Sequence, residues 1–246
     1  MPAKNSVKTY IANGFYHVYN RGVEKRNIFL DEQDYLVFLS YLKLYLSPVE
    51  ETIKNTTNNI NLDYEEKNSK IFRLNELKNF LNRIKLIAYC LMPNHFHLEV
   101  QQVGVKDLEN FMRCLIIKYT MYFNKKYKRV GTLFQGRYKA VSIFGKERLI
   151  DLSLYIHRNP IELLSENQPL ESYPWSSYPA YIGNHQVKWL IKDIIMSNFE
   201  NVKVYRSLVE SSVGSDPRRG SDPGESGSGD ESGEVDYDDP MYIDRE

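Results

Sequence analysis

Cysteine is scarce in this chain. Two occur in 246 residues, Cys90 and Cys114, and neither has a CxxC partner. That excludes a disulfide framework and a zinc ribbon and suits a reducing compartment, so the expected location is the cytoplasm. Long apolar runs are also missing, where a membrane span needs about 20 consecutive apolar residues. The opening MPAKNSVKTYIANG lacks the apolar stretch of a secretory signal. Net charge is absent, since 32 Lys and Arg balance 32 Asp and Glu. What remains is 42% apolar and 26% charged residues, a globular balance that excludes a collagen, a coiled-coil rod and a wholly disordered chain.

The zero net charge hides a division. Residues 211–246 hold 11 acidic and 3 basic side chains, against 21 and 29 in residues 1–210. The C-terminal stretch is mostly Gly, Ser, Asp and Glu, with little to bury, so a disordered acidic tail is expected over 211–246. The body is basic, and Phe111 to Arg148 carries ten Lys or Arg against the single acid Glu147. A field of that density attracts polyanions, although a solvated helix face has the same composition.

Periodicity gives the order of elements. GFYHVYNRGV alternates as a strand. Asp31 opens a helix with Tyr35, Phe38, Leu39, Leu42 and Leu46 on one side, and Pro48 stops it. The region at about 50–80, rich in Asn and Lys, reads as an exposed insertion with a short helix at Leu74–Leu81. IKLIAYCLM and HFHLEVQ are two strands broken by Pro93 and Asn94, hence a hairpin. Lys106 to Lys126 is an amphipathic helix, GTLFQGRYKAVSIF a further strand or strand pair, and Lys146 to Asn159 a last core helix closed by Pro160. The pattern is α+β, an antiparallel sheet with helices packed on it. The expected domains are 1–165, a C-terminal extension packed on it at 166–210, and the tail.

Two clusters carry chemistry. His95 and His97 stand at i and i+2 of a strand, so both imidazoles share a face while Phe96 and Leu98 take the other. That pair can hold a divalent metal, or can simply satisfy hydrogen bonds at a hairpin. Glu99 continues the face as a third ligand, a general base or a solvated edge residue. Tyr155 and Asn159, at i and i+4 in LYIHRNP, stack a phenol and a carboxamide on one helix face. Leu149, Leu152 and Ile156 supply the apolar side, where a tyrosine is commonly core. Pro160 makes Asn159 the expected end of the helix. A phenol with a pKa of about 10 is a poor nucleophile at neutral pH, but a competent one against a metal-polarised phosphodiester.

MPNHFHLEV, then a basic helix, FQGRYKAV, YIHRNP and YPWSSYPAYIG together resemble the REP-associated tyrosine transposases. These belong to the single-tyrosine HUH endonucleases and are relatives of the IS200-like insertion-sequence transposases. The likeness runs from about Gly14 to Tyr205, interrupted by the insertion. It implies a ferredoxin-like α+β domain that cuts single-stranded DNA beside a palindromic hairpin. His95 and His97 match the HUH pair, Asn159 the third metal ligand and Tyr155 the nucleophile, which in this family leaves a 5′-phosphotyrosine and a free 3′-hydroxyl. The implied metal is Mg²⁺ or Mn²⁺, with no small-molecule cofactor and no membrane partner. Glu99 stands where an apolar residue is usual, and the insertion is longer than expected.

For DNA contacts, the basic stretch offers Lys118, Lys125, Arg129, Arg137 and Lys139, with Tyr138 as a stacking residue and Arg21 near the metal. Three functions remain open. The first is a single-strand endonuclease and strand transferase. The second is a domesticated hairpin-DNA-binding protein that no longer cuts, and the third a metal hydrolase working through Glu99. Both monomer and homodimer are compatible with the chain.

Overall fold

The computed structural model describes residues 10–165 and 168–211; the tail expected at 211–246 lies outside them except for Ser211, which is helical. Four strands form one sheet: β1 (Phe15–Arg21), β2 (Ile84–Met92), β3 (His95–Gln102) and β4 (Lys139–Ile143), in the order β2-β3-β1-β4. Every neighbouring pair is antiparallel. With α1 (Glu32–Leu46) after β1 and α4 (Asp107–Lys126) after β3, the chain follows the βαββαβ order of a ferredoxin-like sheet, as the family resemblance implies, and the α+β pattern expected from periodicity.

Between α1 and β2 lie α2 (Val49–Thr57) and α3 (Tyr64–Asn75). The region without a clear period is therefore a helical hairpin, and the short helix expected at Leu74–Leu81 is misplaced. Asp63 and Glu66 form a reciprocal capping box that starts α3 earlier. Downstream, buried Phe80 and the Asn79 amide, which donates to the Leu44 and Ser47 carbonyls, draw the chain back onto α1 as a loop. Neither α2 nor α3 buries a residue fully, so exposure of the insertion holds.

The two faces of the sheet differ. Val18, Phe96, Leu98 and Val100 are fully buried beneath α1 and α4, with Phe38 of α1 packed on Phe96 at 5.3 Å between centroids. Asp34 anchors this layer. Burial opposes its ionisation, but hydrogen bonds from Lys126, the Leu30 amide, Tyr127 and Tyr122 outweigh that and hold its carboxyl below the usual range. The opposite face carries the histidines and is covered by α5 (Lys146–Arg158).

Pro160 does not end the helical path. Asn159 keeps αR angles (φ −47°, ψ −40°), and a 3₁₀ turn runs on from Asn159 to Leu163. The ring fixes a φ that suits the first turn of a new helix, and its missing N–H costs nothing there. Of the expected strand or strand pair at 131–144, only Lys139–Ile143 joins the sheet as a strand. Residues before it form a loop that meets the sheet at an isolated bridge from Phe134 to Gly22 and through the side chains of Arg21, which donates to Gln135, and Asn20, which donates to the Gly136 carbonyl.

The C-terminal extension closes the β2 edge. Leu190 and Ser176 form isolated bridges to Leu86 and Cys90, which covers backbone groups that would otherwise template pairing with another chain. It contributes α6 (Tyr178–Tyr181), α7 (Asp193–Met196) and α8 (Val202–Ser211). Helix α8 grips α5: Arg158 donates to the carbonyls of Val209 and Leu208. Among the described residues, no helix is long and apolar enough to cross a membrane.

Candidate active site

Cross-strand register builds the site. His95, His97 and Glu99 of β3 stand opposite Arg21, Tyr19 and His17 of β1. Directly paired residues point the same way, so all six share one face. The hairpin holds this row in place. Pro93 accepts from the Ile28 and Phe29 amides, and Asn94 from the Gly22 amide. A Cβ at Gly22 would come within 2.1 Å of the Arg26 carbonyl oxygen, so this close approach needs glycine.

His97 Nδ1 lies 2.8 Å from His17 Nε2, and the two rings stack with centroids 5.0 Å apart. His97 Nε2 is buried and has no hydrogen-bond partner. His95 stands perpendicular to His97 at 4.9 Å, with Nδ1 2.6 Å from Asn94 Oδ1. Above them the ring of Tyr155 is edge-on to both His97 (5.6 Å) and His17 (6.0 Å). One turn further, the Asn159 amide nitrogen donates to the Tyr155 carbonyl at 3.0 Å, and its side chain also hydrogen-bonds His95. The four residues picked out by motif are thus brought together by β3 and the C-terminal turn of α5.

Electrostatics keep the imidazoles neutral. Burial lowers His17 to about 3. Burial also lowers His95 to about 4, with the Asn159 hydrogen bond acting against it and the Arg21 charge adding to it. His97 is pushed well below the ordinary value by burial and by the charges His95 and His17 would carry. Neutral imidazole is the form that ligates metal. Glu99 is buried with neither oxygen hydrogen-bonded, and burial raises its pKa well above the carboxylate range. It is no solvated edge residue.

Among the described residues, no three His, Cys, Asp or Glu side chains gather around a common point for metal. The donor set available is two imidazoles and an amide oxygen. A buried ring nitrogen with no partner, held neutral beside a second neutral imidazole, fits a divalent cation.

The DNA candidates divide. Arg21 is at the site, with Nε donating to Gln135 Oε1 at 2.5 Å. Lys139 reaches it as well, its Nζ 5.8 Å from the centroid of the Tyr19 ring, which stacks on His97. Arg137 and Lys125 are exposed. Arg129 is half-buried over Phe123 and donates to Asn124 Oδ1. Lys118 sits over Tyr41 of α1, among the helices on the other side of the sheet. Tyr138 corrects the expectation: it is buried, its hydroxyl 2.7 Å from that of Tyr10, and offers no open face to a base. His17 and Tyr19 were not singled out from the sequence. Their alternation was visible, but only the register with β3 shows that their face is the histidine face.

Comparison with known proteins finds a likeness over part of the chain. Residues 51–159 match the family model described as "Transposase IS200 like". The matched stretch holds His95, His97, Tyr155 and Asn159. Among solved structures, one described as "Structure of the REP associates tyrosine transposase bound to a REP hairpin" is similar over 73% of this chain and 85% of that one, at 15% identity and a TM-score of 0.43. No curated protein matches the chain.

Proposed function

We propose that this protein is a metal-dependent single-strand DNA endonuclease and strand transferase, acting beside a DNA hairpin through Tyr155. The observation that carries the reading is the Tyr155 ring set against a neutral histidine pair, one of whose buried nitrogens has no partner. His95, His97 and Asn159 would hold Mg²⁺ or Mn²⁺. The ion would polarise the scissile phosphate and offset its developing charge.

The chain's own groups do the rest. With a metal on His97 Nε2, the proton of that ring would sit on Nδ1 and be donated to His17 Nε2, 2.8 Å away, which would hold the ring in that tautomer. Arg21 and Lys139 bind phosphate oxygens of the strand and hold it against the site. The Tyr155 oxygen forms a bond to phosphorus as the bond to the 3′-oxygen breaks. The phenol proton is lost and the departing 3′-oxygen gains one, which leaves a 5′-phosphotyrosine and a free 3′-hydroxyl. The phosphodiester energy is kept in the tyrosine ester, available for rejoining. Helix α5 is held by α8, so the nucleophile rides on a fixed element rather than on a loop.

Activation of water by Glu99 is disfavoured. Its carboxyl is sealed from solvent, and burial raises its pKa well above the usual carboxylate range, which disfavours the carboxylate that a general base needs. The test is incubation with labelled hairpin DNA with and without Mn²⁺, followed by a denaturing protein gel. A metal-dependent shifted band, lost in Tyr155→Phe, is expected. Tight hairpin binding with neither adduct nor cleavage would support the non-cleaving alternative, and cleavage without an adduct would point to water.

A further inference from the structure

A cavity of about 450 Å³ lies between α1, the α2–α3 hairpin and α4. It is remote from the histidines in the fold, because α1 and α4 cover the other face of the sheet. Each bordering helix gives it one stripe. Lys70 and Arg73 of α3 stand one turn apart, Lys43 comes from α1, and Lys118 comes from α4. Glu51 is the single carboxylate among the lining residues.

Among the described residues, Lys43, Lys70 and Arg73 form neither an ion pair nor a hydrogen bond, unlike Lys126, which is tied to Asp31 and Asp34. Lys118 is held over the Tyr41 ring, 5.4 Å from its centroid. The floor is aliphatic, from Leu44, Leu74 and Leu77, with hydroxyls of Ser40 and Thr52 at its border. Four cations around one small cavity repel each other, and an anion between them relieves that repulsion. An aliphatic floor under a cationic rim accommodates a sugar or base edge together with its phosphates.

We propose that this cleft is a second nucleic-acid contact, gripping the phosphodiester backbone of the DNA strand away from the point of cleavage. It rests on the reading of the chain as a DNA-strand enzyme, and it gives the insertion a role: α2 and α3 supply one wall and two of the four cations. Nucleic acid is favoured over an acidic peptide because the cavity pairs cations with an aromatic ring and hydroxyls, the set that backbone, sugar and base use together.

The test is fluorescence anisotropy with a labelled hairpin bearing a single-stranded extension, titrated at several salt concentrations. Lys70→Glu/Arg73→Glu should weaken binding tenfold or more at 100 mM salt. It should also flatten the dependence of log K on log salt by about 1.4, at about 0.7 per single-strand phosphate contact. Lys54→Glu/Lys78→Glu makes the same charge change on and beside the same hairpin but outside the cavity, and should cost less than threefold. The neutral pair Lys70→Gln/Arg73→Gln should flatten the slope as well, which covers misfolding of the reversed variant. Equal losses in the two reversed pairs, or an unchanged slope in Lys70→Gln/Arg73→Gln, would overturn the cleft. Anisotropy reads this contact whether or not an adduct forms, so its outcome is separable from that of the cleavage assay.

Discussion

His97 and His157 are both buried and both neutral, yet they meet their surroundings differently. His157, on α5, has both ring nitrogens occupied: Nδ1 is 2.7 Å from the Tyr205 hydroxyl and Nε2 2.7 Å from Ser177 Oγ. Tyr205 Oη also lies 3.2 Å from Ser153 Oγ, and Ser177 Oγ accepts from the Tyr89 amide. Every partner belongs to the frame that joins α5, β2 and the C-terminal extension. His97 has one nitrogen on His17 and the other on nothing in the protein. A buried imidazole with both nitrogens satisfied is a strut. One with an empty lone pair carries a cost to stability that a ligand relieves.

Substitutions can break that contrast. The largest effect is expected from Tyr155→Phe, which should reduce the covalent DNA adduct to background while leaving hairpin affinity within about threefold, measured by gel and by anisotropy. Next come the two histidines themselves. His157→Ala should lower unfolding free energy by about 3 kcal/mol, since it opens a cavity and strands two hydroxyls. His97→Ala should cost less, about 2 kcal/mol, because it strands one buried group, His17 Nε2, rather than two. Urea denaturation of both, without metal, reads the difference.

His17→Ala should weaken Mn²⁺ binding by roughly 10- to 100-fold, as expected when the partner that orients a ligating histidine is lost. His17→Gln, which can still accept from Nδ1–H, should recover part of this. Acid sharpens the contrast from another side. The folded values of His17 and His157 (about 3) and of His95 (about 4) lie below the unfolded 6.5. Below pH 6.5 the unfolded chain therefore binds more protons. The stability these neutral rings contribute is complete above that pH and is lost as pH falls, at about 1.4 kcal/mol per pH unit for each ring. Urea midpoints between pH 7 and 5 should show this fall, and His157→Gln should make it shallower. The smallest effect belongs to Glu99→Gln, which swaps one neutral buried group for another. Adduct yield should stay within about threefold, whereas a hydrolase working through Glu99 would be abolished.

Much of this was legible in the chain. Alternation at Phe15, His17 and Tyr19, the helical spacing after Asp31 and the Pro93–Asn94 break marked the succession of strands and helices along the chain and hence an α+β fold. His95 and His97 could be assigned to one face because a strand has a period of two. Tyr155 and Asn159 could be assigned to one helix edge because a helix repeats every 3.6 residues. Contacts across strands were not legible. The pairing of Tyr19 with His97, and the reach of His17 to that ring, depend on a register that separates partners by some eighty residues. The burial of Glu99 depends on α5 and the extension closing over it. Tyr138 failed as a stacking residue because Tyr10, far away in sequence, covers it. In the insertion, weak apolar period concealed helices whose start is set by the Asp63–Glu66 capping box rather than by a buried stripe.

The most direct measurement of the account is a titration of the metal-free protein with Mn²⁺, followed by electron paramagnetic resonance, in wild type, His97→Ala and His157→Ala. One bound ion in the wild type, retained in folded His157→Ala and lost in His97→Ala, is the predicted result. Undiminished binding in His97→Ala would contradict it, and would return the unpartnered nitrogen to an unexplained feature of the core.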